Sequence, residues 1–385
     1  MRILHIQFAG PYTEGFNYQE NVLPKYQVIH GHEVYFLTTC YAWDKGDMIH
    51  VSPEKKVLSD GVHLERMEFV NFGIPIITRR LRLVRNTYEK IKEISPDFIM
   101  LHDIQSLSDM GVIKYLKKHS EVRMIVDCHT DFSNSARTFL SKHLLHGILW
   151  KLMAQMIEPY TYKFYGVLPA RNDFLISMYG LPKEKVELMV MGADDERVHA
   201  ALVKTNDRYI RNKYGISDSD FLIVTGGKID MYKTQTLLLM EAVKQLERKD
   251  VKLIVFGSVD TQLKEKFYSL VDDEFVKYAG WVDANDSYDY FAAADLVCFP
   301  GRHSVFWEQA AGMGIPLLVK YWEGTTHIEC GGNVEFLYKD SVEEISEKIK
   351  QIALDKEHYQ VMKEIAEQKA MKIFSYSDIA ERCLV

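Results

Sequence analysis

The chain has 385 residues, 47% of them hydrophobic and 26% charged, which is the make-up of an ordinary folded protein too long for one core. Two domains are therefore expected. The net charge of −7 speaks against nucleic acid as a main partner, because neutralising phosphates needs a basic surface, and leaves room only for local basic patches.

Five cysteines (Cys40, Cys128, Cys298, Cys330 and Cys383) are scattered, odd in number and without CxxC spacing, so neither a disulfide framework nor a bound metal is expected. The opening "MRILHIQFAG" lacks the longer apolar core and cleavage site of a signal peptide. No window approaches the ~18 uninterrupted apolar residues of a membrane span. The expected compartment is the cytoplasm.

In chain order, "RILHIQF", "HEVYFLTT", "DFIMLHD" and "RMIVDCHT" read as strands of a first series, with a helix over "NVLPKYQVIHG". A second series follows: "FLIVTGG", "KLIVFGS", "VKYAGW", "DLVCFP" and "IPLLVKYW", with a helix over "TQTLLLMEAVKQLERK". Strands alternating with helices imply βαβ units and parallel sheets covered on both faces. The turn-rich stretch Tyr179–Val198 separates the series. The expected architecture is α/β, with two Rossmann-like, doubly wound domains facing across a cleft. The expected boundaries are 1–195, 196–365 and a C-terminal helix, 366–385, packing back on the first domain. Ligands of open parallel sheets bind outside the carboxyl ends of the strands, so the shared cleft is the expected site.

Five segments carry candidate chemistry. In "VTGGKIDMYKTQTLLLMEA", Gly226 and Gly227 end a strand, and Lys228 and Lys233 sit before a helix. Helix-start N–H groups and two ammonium groups suit a phosphate or diphosphate; the alternative is a glycine turn with two solvated lysines. In "CFPGRHSVFWEQAAGMGIPLLV", Ser304 is placed as N-cap of a helix running to about Gly312, and Glu308 one turn in. A carboxylate there can accept from paired ribose hydroxyls, or simply pair with a surface Arg or Lys. "VDCHTDFSN" sets His129 after a strand between Asp127 and Asp131, and "LHDIQS" offers His102 and Asp103. "GPYTEGFNYQE" is not GxGxxG, but Gly10 and Gly15 allow close backbone approach to a ligand. Finally, residues 136–165 are apolar, with Arg137, Lys142, Lys151 and Lys163 and one acid, Glu158. Such a segment suits an anionic lipid surface, or a buried helix with snorkelling lysines.

Taken in order, these segments resemble the retaining glycosyltransferases of family 4, of the bacterial polysaccharide- and glycan-assembly type, which have the GT-B fold. "GGKIDMYKTQTLLLMEAVKQL" resembles the family's GR-L-x-x-x-K-G block, and "FAAADLVCFP" with "WEQAAGMGIPLLV" its ADlfv-x-P…lEAmA-x-G-x-PVV block. "ELMVMGADDERV" is similar to its interdomain segment and "GHEVYFLTT" to its early GHeV element.

The resemblance implies a hexosyl transfer from a nucleotide-diphosphate sugar to a glycan or lipid-linked glycan. The donor is a substrate, and no further cofactor is implied. Gly227, Lys228 and Lys233 would bind the diphosphate, Glu308 the ribose, and His129 the donor sugar, with Gly15 beside the diphosphate. Lys228 stands where the family usually has Arg. The family's first glutamate, eight residues before the second, falls here on Pro300, so His303 and Ser304 are expected to supply the loop contacts to the sugar. That departure and the lysine at 228 keep one rival open, a glycosyltransferase-like binding or accessory protein without turnover; a sugar-nucleotide epimerase is a second, disfavoured because that chemistry needs more cleft acids than the sequence places. Peripheral contact with the inner face of an anionic membrane is a further expectation.

Overall fold

The structure is a computed structural model and describes residues 1–44, 46–206 and 208–384. The chain divides into two compact units. The first is Met1–Val190 with the C-terminal stretch from Ile379, and the second is Met191–Asp378. The division falls before the boundary expected at 195/196, because Asp195 already opens a helix, Asp195–Asn206, of the second unit. Residues 366–378, expected to pack with the first domain, cluster with the second instead. They continue the helix Lys356–Ile365 through Ile373, and Ala366, Ala370 and Phe374 are buried there.

The first unit contains β1 (Arg2–Gln7), β2 (Glu33–Thr39), β3 (Tyr41–Asp44), β4 (Asp47–His50), β5 (Lys55–Val57), β6 (His63–Met67), β7 (Phe98–His102), β8 (Arg123–Cys128), β9 (Lys163–Gly166) and β10 (Val186–Leu188). Eight of these form one sheet in the order β10-β9-β8-β7-β1-β2-β6-β5, parallel except for the β5–β6 pair, while β3 and β4 make a hairpin. β7 is a near-continuous apolar run and β1 is buried over five of its six residues, as central strands of a parallel sheet are, which is why they were readable from sequence.

The second unit holds β11 (Phe221–Gly226), β12 (Val251–Phe256), β13 (Val276–Tyr278), β14 (Leu296–Phe299), β15 (Leu317–Lys320) and β16 (Val334–Leu337), all parallel, in the order β13-β12-β11-β14-β15-β16. Its core includes Ile223, Leu239, Leu253, Val255, Leu296, Cys298 and Leu318, all fully buried.

In each sheet the strand order reverses once: between β1 and β7 in the first, and between β11 and β14 in the second. At such a reversal the crossover helices leave to opposite faces, opening a crevice beyond the strands' carboxyl ends. These two points locate the candidate chemistry.

Candidate functional site

In the second unit the reversal is framed by the end of β11, Gly226–Gly227, and by the loop after β14, residues 300–305. Three glycines let the backbone close up here. A Cβ on Gly226 would meet the Phe256 ring at 2.2 Å, and one on Gly257 would meet the Gly227 carbonyl oxygen at 1.8 Å. Gly227 and Gly257 have φ of 106° and 120°, where a side chain is strained. The turn is tied by Gly227 N–H to Phe256 O (3.0 Å) and Gly257 N–H to Gly280 O (2.7 Å).

Lys228 follows this turn, exposed and 3.6 Å from Asp230. Lys233 is half-buried. Burial pushes its ammonium pKa down, Asp230 opposes the shift, and the charge on Lys228 adds to it. The helix Gln235–Gln245 starts directly after. This loop and the one after β14 are held side by side. Arg302 lies over the Tyr232 ring at 5.1 Å, Gln235 packs against Gly301, and the Phe306 ring faces Gly227. Gly227, Lys228, Lys233, His303, Ser304 and Glu308 therefore belong to one region.

Ser304 is not the helix cap. The helix is Phe306–Gly312 with Val305 at the cap position. Its first turn closes on the Ser304 carbonyl (Trp307 N–H, 2.9 Å), while Ser304 Oγ reaches Phe306 N–H only at 3.5 Å. Glu308 does not pair with a surface cation either. It is fully buried, and its Oε1 accepts from His303 Nε2 and from His327 Nε2, both at 2.8 Å. Burial pushes the carboxyl pKa up, but the two imidazoles outweigh it and hold Glu308 well below the ordinary carboxylate range. Glu308 Oε2 is buried without a partner. A carboxylate with one oxygen fully engaged and the other unpaired is poised to accept one further donor. His327 has no sequence signal: it lies in the turn Thr326–Ile328, and only the fold brings it to Glu308.

Among the described residues, two groups could hold a metal ion: Cys40–His50–Glu68 and His303–Glu308–His327. In the second, both Nε2 atoms are engaged by one glutamate oxygen. His327 Nδ1 also lacks the outer hydrogen bond that orients a metal-ligating histidine. Its geometry is that of a hydrogen-bonded clamp on Glu308.

His129 and Gly15 stand in the first unit. Gly15 is exposed in the loop after β1, at φ 77° with open space around it. His129 follows β8, beside the reversal between β1 and β7, and its Nε2 lies 3.4 Å from Asp127 Oδ2. Burial presses the imidazole pKa down, but hydrogen bonding and charge from Asp127, helped by Asp103, leave it raised. Asp127 is fully buried and also accepts from His102 Nδ1 (2.9 Å) and Gln19 Nε2 (3.0 Å). Behind it His102 Nε2 meets His5 Nδ1 at 2.9 Å, and His5 meets Gln27 at 2.6 Å. Burial drives the His5 pKa down to about 3. Asp103 holds the His129 backbone N–H at 3.3 Å from a left-handed conformation, φ 59°, that is strained outside glycine. His102 and His129, both flagged in sequence, thus share Asp127 in one network that runs from Gln27 through His5 to His129.

Residues 206–369 match the family described as "Glycosyl transferases group 1". Over 275 residues the chain is 24% identical to mannosylfructose-phosphate synthase of Agrobacterium fabrum, an alignment covering 66% of this chain and 58% of that protein. The chain thus spans under two thirds of that relative's length. A glycosyltransferase from Rickettsia africae superposes with a TM-score of 0.67 at 14% identity, over 100% of this chain and 96% of that one. Anabaena HepE, solved with UDP, superposes with a TM-score of 0.66 at 15% identity, over 100% and 98%. These likenesses show the fold, which is GT-B. The matched region contains the glycine turn, both lysines and the Glu308 clamp.

Proposed function

We propose that the chain is a retaining glycosyltransferase that moves a hexosyl unit from a nucleotide-diphosphate sugar to a glycan or lipid-linked glycan. The observation that carries this reading is the buried Glu308, clamped through one oxygen and unpaired at the other, at the same strand-order reversal as the Gly226–Gly227–Gly257 turn and Lys228 and Lys233. Gly227 brings backbone close to a diphosphate, Lys228 and Lys233 supply positive charge beside it, and Glu308 Oε2 accepts a ribose hydroxyl. The fold shared with UDP-bound HepE, and the family match over 206–369, support the same assignment.

Breaking a glycosidic bond to a diphosphate builds negative charge on the leaving phosphate. Preorganised cations and N–H groups stabilise that charge most where it develops. Lys228, Lys233 and the N–H groups opening the helix Gln235–Gln245 supply this stabilisation. His129, with its Nε2 toward Asp127, leaves Nδ1 for a hydroxyl of a ligand bound to the first unit.

A thermal-shift panel with UDP, GDP, ADP and CMP tests the reading. One diphosphate raises the melting temperature, and Glu308→Ala abolishes the rise. A wild-type protein that responds to none of them overturns it in favour of a binding protein without nucleotide chemistry.

A further inference from the structure

The first unit carries a large apolar surface that its own core does not use. The helix that winds as a π-helix over Ser141–Trp150 and as an α-helix over Lys151–Ile157 is apolar on two faces. Ser141, His146, Trp150, Met153, Ala154 and Ile157 turn inward and are buried. Leu140, Leu144, Ile148, Leu152 and Met156, at a regular spacing of four, form a row on the outside, with Phe139 at its head. These six are 43% to 75% exposed.

A second exposed apolar segment, Phe72, Ile74, Ile76 and Ile77, surrounds the start of the short helix Pro75–Leu81. The two segments are linked through the interior: Arg82, at the end of the short helix, donates through Nη1 to Gln105 O at 3.1 Å, and Gln105 Nε2 and His146 Nδ1 both meet the Tyr179 hydroxyl, at 3.5 and 2.9 Å. His146, on the inner face of the long helix, is pushed down to about 4 by burial and then by the charges of Arg82 and Arg80.

Charge is segregated here in the same sense. From Phe69 to Tyr88 the sequence holds Arg79, Arg80, Arg82 and Arg85 and no acid; from Phe132 to Ile157 it holds Arg137, Lys142 and Lys151 and no acid. In a chain of 54 acids and 47 lysines and arginines, two such segments without a single carboxylate concentrate positive charge beside exposed apolar side chains. Contiguous exposed apolar surface on a folded protein marks an interaction site. A row of aliphatic side chains flanked only by cations matches acyl chains below anionic headgroups. Among the described residues no helix is long and apolar enough to cross a membrane, so the contact is interfacial.

We propose that Phe139–Met156 and Phe72–Ile77 together form an interfacial membrane-binding face that seats the first unit on an anionic lipid leaflet. The apolar row enters the headgroup–acyl boundary, and Arg79, Arg80, Arg137 and Lys142 contact lipid phosphates. This surface is separate from the nucleotide-site reading and stands without it.

Flotation of the full chain with phosphatidylcholine vesicles, with and without phosphatidylglycerol, tests the proposal. The protein floats with the anionic vesicles, at least about tenfold more than with the neutral ones, and added salt weakens the association. The double variant Leu144→Asp, Ile148→Asp stays at the bottom of both gradients with its melting temperature kept, because both positions are exposed. The variant Arg79→Ala, Arg80→Ala, Lys142→Ala loses the preference for anionic vesicles. Wild-type protein that fails to float with anionic vesicles overturns the proposal. So does a dimer in sedimentation velocity that Leu144→Asp dissolves, with no vesicle binding, since that assigns the face to a second copy of the chain.

Discussion

Replacing Gly257 by alanine perturbs the glycine turn at its tightest point. The new Cβ would sit 1.8 Å from the Gly227 carbonyl oxygen, and backbone cannot swing aside as a flexible side chain can. An ordinary contact needs more than 1 Å of movement in one of two strand ends, each fixed by a backbone hydrogen bond. The φ of 120° adds strain of about 1–3 kcal/mol, and the overpacking about 1–3 kcal/mol more. The expected loss is about 2–6 kcal/mol, with displacement of Gly227 and loss of nucleotide affinity. Gly215 is the control: it has φ 64° but nothing within 4 Å of its built Cβ. Gly215→Ala therefore costs about 1 kcal/mol of strain and leaves nucleotide binding unchanged. Urea denaturation followed by tryptophan fluorescence reads the stabilities, and calorimetric titration the affinities. If Gly257→Ala matches Gly215→Ala in stability and still binds nucleotide, the steric account of the turn is wrong.

Two further outcomes follow from the histidine contacts. Asp127→Asn removes the carboxylate that raises the His129 pKa, so the imidazole should titrate at lower pH by NMR. A folded-state pKa raised above the ordinary value near 6.5 contributes stability below that pH and loses it as pH rises through the raised value, so this contribution disappears in the variant. An unmoved titration would show that Asp127 does not set it. His327→Phe keeps a ring beside Phe374 but removes one of two donors to a buried carboxylate, at a cost of about 1.5–3 kcal/mol. It should also raise the Glu308 pKa in a carbon-13 NMR titration of labelled glutamate, whereas a zinc-chelator wash of the wild type should change neither stability nor nucleotide binding. A chelator effect matching that of His327→Phe would make the clamp a metal site.

The sheet cores were legible because both faces of each central strand are covered, leaving runs such as "FIMLH" and "FLIVTG" with few polar interruptions. The peripheral strands were not: Lys55–Val57 is exposed throughout, and Val186–Leu188 buries one residue of three. Such strands are held by pairing with a neighbour rather than by their own pattern. Lys228 and Lys233 stand out in sequence as loop cations between a strand end and a helix, and Glu308 as a carboxylate one turn into a helix. His327 was not, because a loop residue nineteen positions from Glu308 reaches it only through the crossover after β15. Ser304 looked like a cap because serine favours caps, yet the chain uses its carbonyl instead. In residues 136–165 the basic and apolar composition was visible, but the winding of the helix decides which apolar side faces outward.

The central claim is that the chain transfers sugar from a nucleotide-diphosphate donor with retention. Time-resolved proton NMR of a donor carrying the nucleotide selected by thermal shift tests it most directly, read on the sugar first released by slow hydrolysis. The account predicts that the first anomer has the donor's configuration, and that Glu308→Ala slows its appearance at least about tenfold, as expected when a binding contact of ~1.4 kcal/mol or more is lost. An inverted first anomer, or a donor left intact by a wild-type protein that binds it, would contradict the account.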